Sequence, residues 1–272
     1  MAAMQTHLQK SNGQKWHHLH NSFLLMEENP VGIPLTPTAI QHTLTPDQLD
    51  GLVIFRKNNN DLKGLEMKEF FNNDGSRAKY CGNAHICLAT LAYGWGVSET
   101  KFGEFRIKTT SEVPPLLTFK LTPFKWKNRS CKPISLPHGL KKNAFQIAFG
   151  VPHIVISETV SSRKKILDYQ KYSRPTLLQI QNDPRFPEGT NITFVFIDTQ
   201  GHPQGSVSFE RGLKKFSAAC SSGIFASIVS CLQQGLIKPE EPFTWETQHD
   251  PVKLKVTHDA LVIYSRAHPI GD

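Results

Sequence analysis

Short apolar blocks, many alternating with polar residues, run through the chain between Gly, Pro, Asn and Asp. That pattern predicts strands. Residues 15–30 read as one strand entering a loop and another leaving it. Leu52-Val53-Ile54-Phe55 is a compact strand, Lys57 to Lys63 an Asn-rich turn, and Leu65 to Phe71 the next strand. Phe105 to Thr109 and Leu116 to Leu121 alternate as half-buried strands do. The second half offers Phe145 to Phe149, His153 to Ile156, Asn191 to Ile197, Gly205 to Phe209, Phe243 to Trp245, Leu254 to Val256 and Ala260 to Tyr264. Helical signal is rarer. It lies in 36–50 (Ala39, Ile40, Leu44, Leu49), in Thr176 to Ile180, and in two apolar runs, His85 to Tyr93 and Ile224 to Leu232. Gly94 and Gly96 stop the first run and Gly235 stops the second.

The two apolar runs share a preface. Phe70 to Ser76 ends in the turn Asn72-Asn73-Asp74-Gly75-Ser76, followed by a spacer and Cys81-Gly82-Asn83. Phe209-Glu210-Arg211-Gly212 is followed by a spacer and Cys220-Ser221-Ser222-Gly223. A polar turn, a cysteine, small residues and an apolar helix occur twice, so the chain reads as a duplicated unit. A Pro-, Lys- and Asn-rich stretch from Pro123 to Lys142 marks the crossing. The expected units are 15–122 and 123–259, after a loose polar leader at 1–14.

A cysteine at a helix start meets backbone N–H groups that have no partner within the helix, together with the positive end of the helix dipole. Both favour the thiolate. Small residues beside it let a carboxylate approach those N–H groups. Two such ends facing each other would hold one carboxylate and set a sulfur on each side of the adjacent carbon. That is a geometry for moving a proton from one face of a carbon to the other.

Composition narrows the class. The chain has 272 residues, 39% of them hydrophobic, enough for one large or two small domains with cores of their own. No apolar run approaches the roughly 20 residues that span a bilayer, and the leader lacks the apolar core of a signal peptide. A cytoplasmic location is the expectation. The five cysteines show neither a disulfide framework nor a CxxC zinc pair. Cys87 and Cys231 read as core and Cys131 as an incidental loop residue. The net charge of +8 raises nucleic-acid binding. The basic residues are scattered, however (Lys125, Lys127, Arg129, Lys132, Lys141-Lys142, Arg163-Lys164-Lys165), and no nucleic-acid motif accompanies them. A solvated basic surface is the simpler reading. His17, His18 and His20 form an HHxH cluster, but no further ligand stands at metal spacing, so no metal is expected.

At these residues the sequence resembles diaminopimelate epimerase. Phe71-Asn72-Asn73-Asp74-Gly75-Ser76 with Cys81 to Cys87 is similar to FNADGS…CGNGARC. Glu210-Arg211-Gly212 with Ala219-Cys220-Ser221-Ser222-Gly223 is similar to ERGxGxTxACGTG. His17 to Phe23 resembles HGLGNDF, Val151-Pro152-His153 resembles NPH, and Thr190 to Val195 resembles TNVNFV. The resemblance implies an α/β fold of two pseudo-symmetric domains, each a mixed sheet wrapped around a central helix. It places the active site in the cleft between them and returns a C-terminal strand, about 260–272, to the first domain. It implies a cofactor-independent enzyme of lysine and peptidoglycan-precursor synthesis that interconverts LL- and meso-diaminopimelate, and a homodimer.

The residue roles it implies are specific. Cys81 and Cys220 exchange the proton, with His153 and Glu210 beside them. Gly82, Asn83, Ser221 and Ser222 offer backbone N–H groups to the α-carboxylate. Asn21, Asn72 and Asn191 contact substrate, Arg211 clamps the distal carboxylate and Glu210 binds an ammonium. Taken alone, Glu210-Arg211 would be a surface ion pair and His153 a core imidazole. The sequence departs from the family at Val151, where it has Asn, at Gly51, where a Gln is expected, and at His18 and His20, which replace glycines. CSSG also replaces CGTG. A racemase of another amino acid on the same scaffold therefore stays open, and so does a basic binding protein that has lost activity.

Overall fold

A computed structural model describes residues 13–28, 35–57, 64–113, 116–136, 143–161, 172–211, 213–217 and 219–271. Most of the expected leader, the turn at 58–63, Lys141-Lys142, Arg163-Lys164-Lys165 and Gly212 lie outside these residues. The chain divides into two units, one holding residues up to Leu121 with 265–272, the other Thr122–Tyr264.

The first unit opens with an antiparallel hairpin of β1 (Gln14–His18) and β2 (Asn21–Glu27). Its turn residues, Leu19 and His20, have φ of 48° and 60°, the left-handed pair of a type I′ two-residue hairpin. Helix α1 (Pro37–Leu44) starts where Thr36 caps it and a proline occupies the first turn. It crosses over to β3 (Gly51–Lys57), which runs parallel to β2. β4 (Leu65–Asn72) returns antiparallel to β3. Helix α2 (Gly82–Gly94) then leads to β5 (Glu99–Phe102), parallel to β4, and on to β6 (Phe105–Val113) and β7 (Leu116–Thr122).

Every residue of α2 from Gly82 to Ala92 is buried. The helix touches β1, β2, β4, β5 and β6, so it is enclosed on all sides and mostly apolar, as a central helix is. On the other face of the sheet Ile40 and Leu44 of α1 pack with Met26, Leu52 and Phe71.

The second unit repeats the order. After β8 (Cys131–Pro133), β9 (Ala144–Phe149) and β10 (Val151–Thr159) form a hairpin. Helix α3 (Arg174–Gln181), capped by Ser173 with a proline in its first turn, crosses to β11 (Asn191–Ile197), which is parallel to β10. β12 (Pro203–Glu210) returns antiparallel, and β13 (Lys215–Phe216) flanks it. Helix α4 (Ser221–Gln233) is buried from Ser221 to Leu232 and touches β8 to β12. A further antiparallel run, β14 (Pro242–Trp245), β15 (Val252–Val256) and β16 (Leu261–Ser265), completes this part of the chain. Trp245 is fully buried there and donates to Ser206 Oγ at 3.0 Å. Finally β17 (His268–Pro269) pairs with β1 in the first unit.

The fold is thus α/β, with a mixed sheet around a buried helix in each unit. Three details differ from the sequence reading. Cys131 begins a strand paired with Ile147 rather than lying in a loop. The helix expected in 36–50 stops at Leu44, because residues 45–48 form turns and Leu49 N–H reaches back to the Leu44 carbonyl. The strands β5, β8, β13 and β17 carried no clear apolar alternation; neighbouring strands recruit them by backbone pairing.

Candidate active site: two helix starts

Cys81 is the N-cap of α2 and Cys220 the N-cap of α4, both in extended backbone. Gly82-Asn83 and Ser221-Ser222 therefore fill the first two helical positions, where N–H groups have no partner in the helix. Within each unit the other candidates gather at one end of the sheet, in matching places. Asn21 opens β2 and Val151 opens β10. Gly51 opens β3 and Asn191 opens β11. Asn72 closes β4 and Glu210 closes β12. Register confirms the grouping, since Gly51 pairs with Asn72 and His153 with Asn191. Parallel strands start together, and an antiparallel neighbour ends where they start. The spread-out motifs converge for that reason.

The matching places give the two departures a meaning. Each unit keeps one strand-start asparagine and lacks the other: Asn21 without a partner amide at Gly51, Asn191 without one at Val151. The two losses differ physically. An added Cβ at Gly51 would come within 2.7 Å of both the Phe71 carbonyl oxygen and the Phe70 ring. Gly51 is thus a close-packing glycine, with no room for the glutamine expected there. Val151 is a buried strand residue opposite Phe149.

Around Cys220 the polar side chains form a chain. The Gly223 N–H donates to the sulfur at 3.4 Å, and Ser222 Oγ lies 3.3 Å from it. Ser222 Oγ is 3.0 Å from His153 Nε2, and His153 Nδ1 is 3.0 Å from Thr193 Oγ1. Thr193 Oγ1 in turn meets Ser208 Oγ at 2.9 Å. Burial, then the positive charge of Arg211, lowers the His153 pKa to about 3. His153 is therefore neutral and reaches the sulfur through the Ser222 hydroxyl.

Asn191 is buried, and its Oδ1 accepts the Arg211 backbone N–H at 2.9 Å. The Arg211 guanidinium donates to the Glu188 carbonyl. Asn191 thereby orients the arginine, while Glu210 and Arg211 themselves stay half-buried.

The Cys81 start is built differently. Its sulfur makes no capping hydrogen bond, and the residue is half-buried. Asn83 Oδ1 lies 3.0 Å from Nδ1 of the buried His18. Asn72 Nδ2 donates to Ser76 Oγ at 2.9 Å across the polar turn, and Asn21 Nδ2 donates to the Leu19 carbonyl. Cys87, deeper in α2, has its thiol pKa pushed well up by burial. Cys231 in α4 is pushed up to about 12, chiefly by burial. Both are core thiols.

The HHxH histidines face different partners. His17 stacks on His268 at 5.4 Å between ring centres, and His18 turns inward to Asn83 and Ser265. Among the described residues no group of three or more His, Cys, Asp or Glu could hold a metal ion, and no helix is long and apolar enough to cross a membrane. Sequence reasoning named His18 without its partner Asn83 and passed over Thr193 and Ser208. A signal existed: Thr193 and Ser208 each lie two residues from a candidate (Asn191 and Glu210) on the same strand face.

No family model matches the chain. It is 27% identical over 239 residues to the diaminopimelate epimerase of Sphingopyxis alaskensis, with 82% of each chain covered. It is 28% identical over 256 residues to that of Bacillus subtilis, covering 85% of this chain and 86% of the relative. Among solved structures, a hydroxyproline epimerase from Agrobacterium vitis aligns over 95% of this chain and 89% of its own, with a TM-score of 0.65 and 11% identity. The fold of paired mixed sheets around buried helices is one that this epimerase shares. In sequence the chain resembles diaminopimelate epimerases over about four fifths of its length, as its motifs imply.

Proposed function

We propose that this protein is a cofactor-independent epimerase that moves the α-proton of diaminopimelate between the thiols of Cys81 and Cys220. The observation that carries the reading is that each of these cysteines caps the buried central helix of one unit. Similarity to epimerases over most of the chain supports the coarser reading, an amino-acid epimerase or racemase.

In the proposed reaction one sulfur, as thiolate, takes the α-proton and becomes a thiol. The other, a thiol, gives its proton to the opposite face of the carbon and becomes a thiolate. The chain ends with the protonation of the two sulfurs exchanged, ready for the reverse direction. The α-carbon of an amino acid is a weak acid, so the charge that develops must be stabilised. The N–H groups of Gly82, Asn83, Ser221 and Ser222 would receive the α-carboxylate and spread that charge. Arg211 would grip the distal carboxylate with its planar fork. Glu210 would take an ammonium, and Asn21, Asn72 and Asn191 would fix the remaining polar groups. The proposal includes a homodimer, which sedimentation would test.

The test is incubation of LL- or meso-diaminopimelate with the reduced protein in deuterium oxide. Deuterium entering the α-position, with interconversion of the two isomers, is the expected result. A second reading, racemisation of a different amino acid on the same scaffold, is favoured by the amides missing at Gly51 and Val151. A panel including proline, hydroxyproline and glutamate decides between the two. No exchange on any amino acid would overturn both.

A further inference from the structure

Behind the histidine at the Cys220 helix start runs a row of buried hydroxyl groups. His153 and Thr193 are fully buried and Ser208 is 2% exposed. They lie on three adjacent strands, β10, β11 and β12. The row occupies space that α4 leaves open. A Cβ on Gly223 would stand 2.2 Å from Ser208 Oγ and 3.0 Å from Thr193 Oγ1. Glycine inside a helix is destabilising by about 1 kcal/mol relative to alanine; here its missing Cβ is what admits the hydroxyls.

A neutral imidazole has one N–H and one bare nitrogen, so His153 must choose which face donates. Thr193 and Ser222 hold the two nitrogens, and a hydroxyl can donate or accept. One arrangement runs in a single direction. Ser208 donates to Thr193, Thr193 donates to Nδ1, Nε2–H donates to Ser222, and Ser222 donates to the Cys220 sulfur. The sulfur already accepts from the Gly223 N–H, so in this arrangement two donors converge on it. Each link polarises the next in a medium of low dielectric.

We propose that Thr193 and Ser208 are positioning residues for Cys220: they hold His153 with its N–H on Nε2, so that the Ser222 hydroxyl is aimed at the sulfur. This rests on the reading of Cys220 as a working thiol and adds two residues to it. Ser208 is the far end of the row and Thr193 the link that sets the tautomer.

The experiment uses the free, reduced protein. The 15N shifts of the His153 ring report which nitrogen carries the proton. Alkylation by iodoacetamide at neutral pH, mapped by peptide mass, reports the reactivity of Cys220, with Cys131 in the same unit as reference. In the wild type the proton is expected on Nε2. Thr193→Val keeps the shape and removes the hydroxyl. It should shift the His153 signals and slow Cys220 alkylation about fivefold, the scale of one hydrogen bond. Thr193→Ser should restore both. Ser208→Ala, one link further away, should act in the same direction with a smaller effect, and it carries the test if Thr193→Val does not fold. Unchanged signals and rates in Thr193→Val or Ser208→Ala would overturn the inference. So would a wild-type proton on Nδ1, or a defect that Thr193→Ser fails to repair, since that defect would reflect packing. If the wild type exchanges no amino-acid proton, the proposed function falls, while these readouts still decide the role of Thr193 and Ser208.

Discussion

His18 Nδ1 lies 3.0 Å from Asn83 Oδ1, although the residues are 65 apart in sequence. An amide oxygen only accepts, so Nδ1 carries the imidazole proton, and Nε2 accepts from Ser265 Oγ at 2.8 Å. The bond ties the end of β1 to the first turn of the Cys81 helix. A glycine, as the resembling motif has at this place, could not make it. The substitution at His18 thus fastens the helix start rather than disturbing it.

That fastening depends on pH. Burial lowers the pKa from 6.5 to about 4 for His18 and to about 3 for His85 and His153. Below pH 6.5 the unfolded chain binds protons that the folded chain refuses. Stability is therefore full above about pH 6.5 and is lost as pH falls toward 4 and 3. Between pH 7.5 and 5 each imidazole should remove about 2 kcal/mol. Urea midpoints at the two pH values measure this. Replacing His85, which packs edge-on against Phe102 and Tyr80, by Phe should reduce the slope by one imidazole's share.

Cys81→Ala and Cys220→Ala should each lower epimerisation by about 10²- to 10⁴-fold, the usual range for a lost acid or base. Circular dichroism should stay native, since each change removes a single sulfur at a helix N-cap and leaves the core thiols Cys87 and Cys231 in place. Residual deuterium exchange on one face in a single variant is compatible with the mechanism. Near-normal interconversion in either variant would end it.

Gly51 and Val151 should answer differently to restoration of an amide. Gly51→Gln, and already Gly51→Ala, meets the Phe71 carbonyl and the Phe70 ring. A loss of about 1–3 kcal/mol is expected in chemical unfolding. Val151 already carries a side chain, so Val151→Asn adds no new Cβ. It should raise the kcat/KM ratio of diaminopimelate over smaller acidic amino acids by roughly twofold to tenfold, the worth of one hydrogen bond. A wild type that already rejects every competitor would show that other residues supply the selectivity.

Arg211 is positioned through its own backbone, whose N–H donates to Asn191 Oδ1. Arg211→Lys keeps the charge and loses the fork. KM for diaminopimelate should rise about tenfold with a smaller change in kcat. Asn191→Leu should give a similar KM effect by releasing the arginine. An unchanged KM in both variants would remove Arg211 from substrate binding.

The sequence by itself determined most of the strands, the two capping cysteines and the duplication. Those signals are local: alternation for a half-buried strand, a cysteine and small residues before an apolar run, a glycine after it. Asn191 to Ile197 is a strand within the bounds its apolar run predicts, and both helix starts lie where Cys81 and Cys220 predict them. Tertiary structure decided what depends on neighbours distant in sequence. Strands such as β5 and β17 exist because a partner's backbone offers them hydrogen bonds, which their own composition does not announce. Only packing revealed that Gly51 sits against a carbonyl while Val151 occupies an ordinary strand position, for the two departures look alike in sequence. The neutral state of His153 and the row behind it also needed the fold. A histidine's charge is set by burial and by Arg211, and its tautomer by hydroxyls on two other strands, none of which lies beside it in the chain.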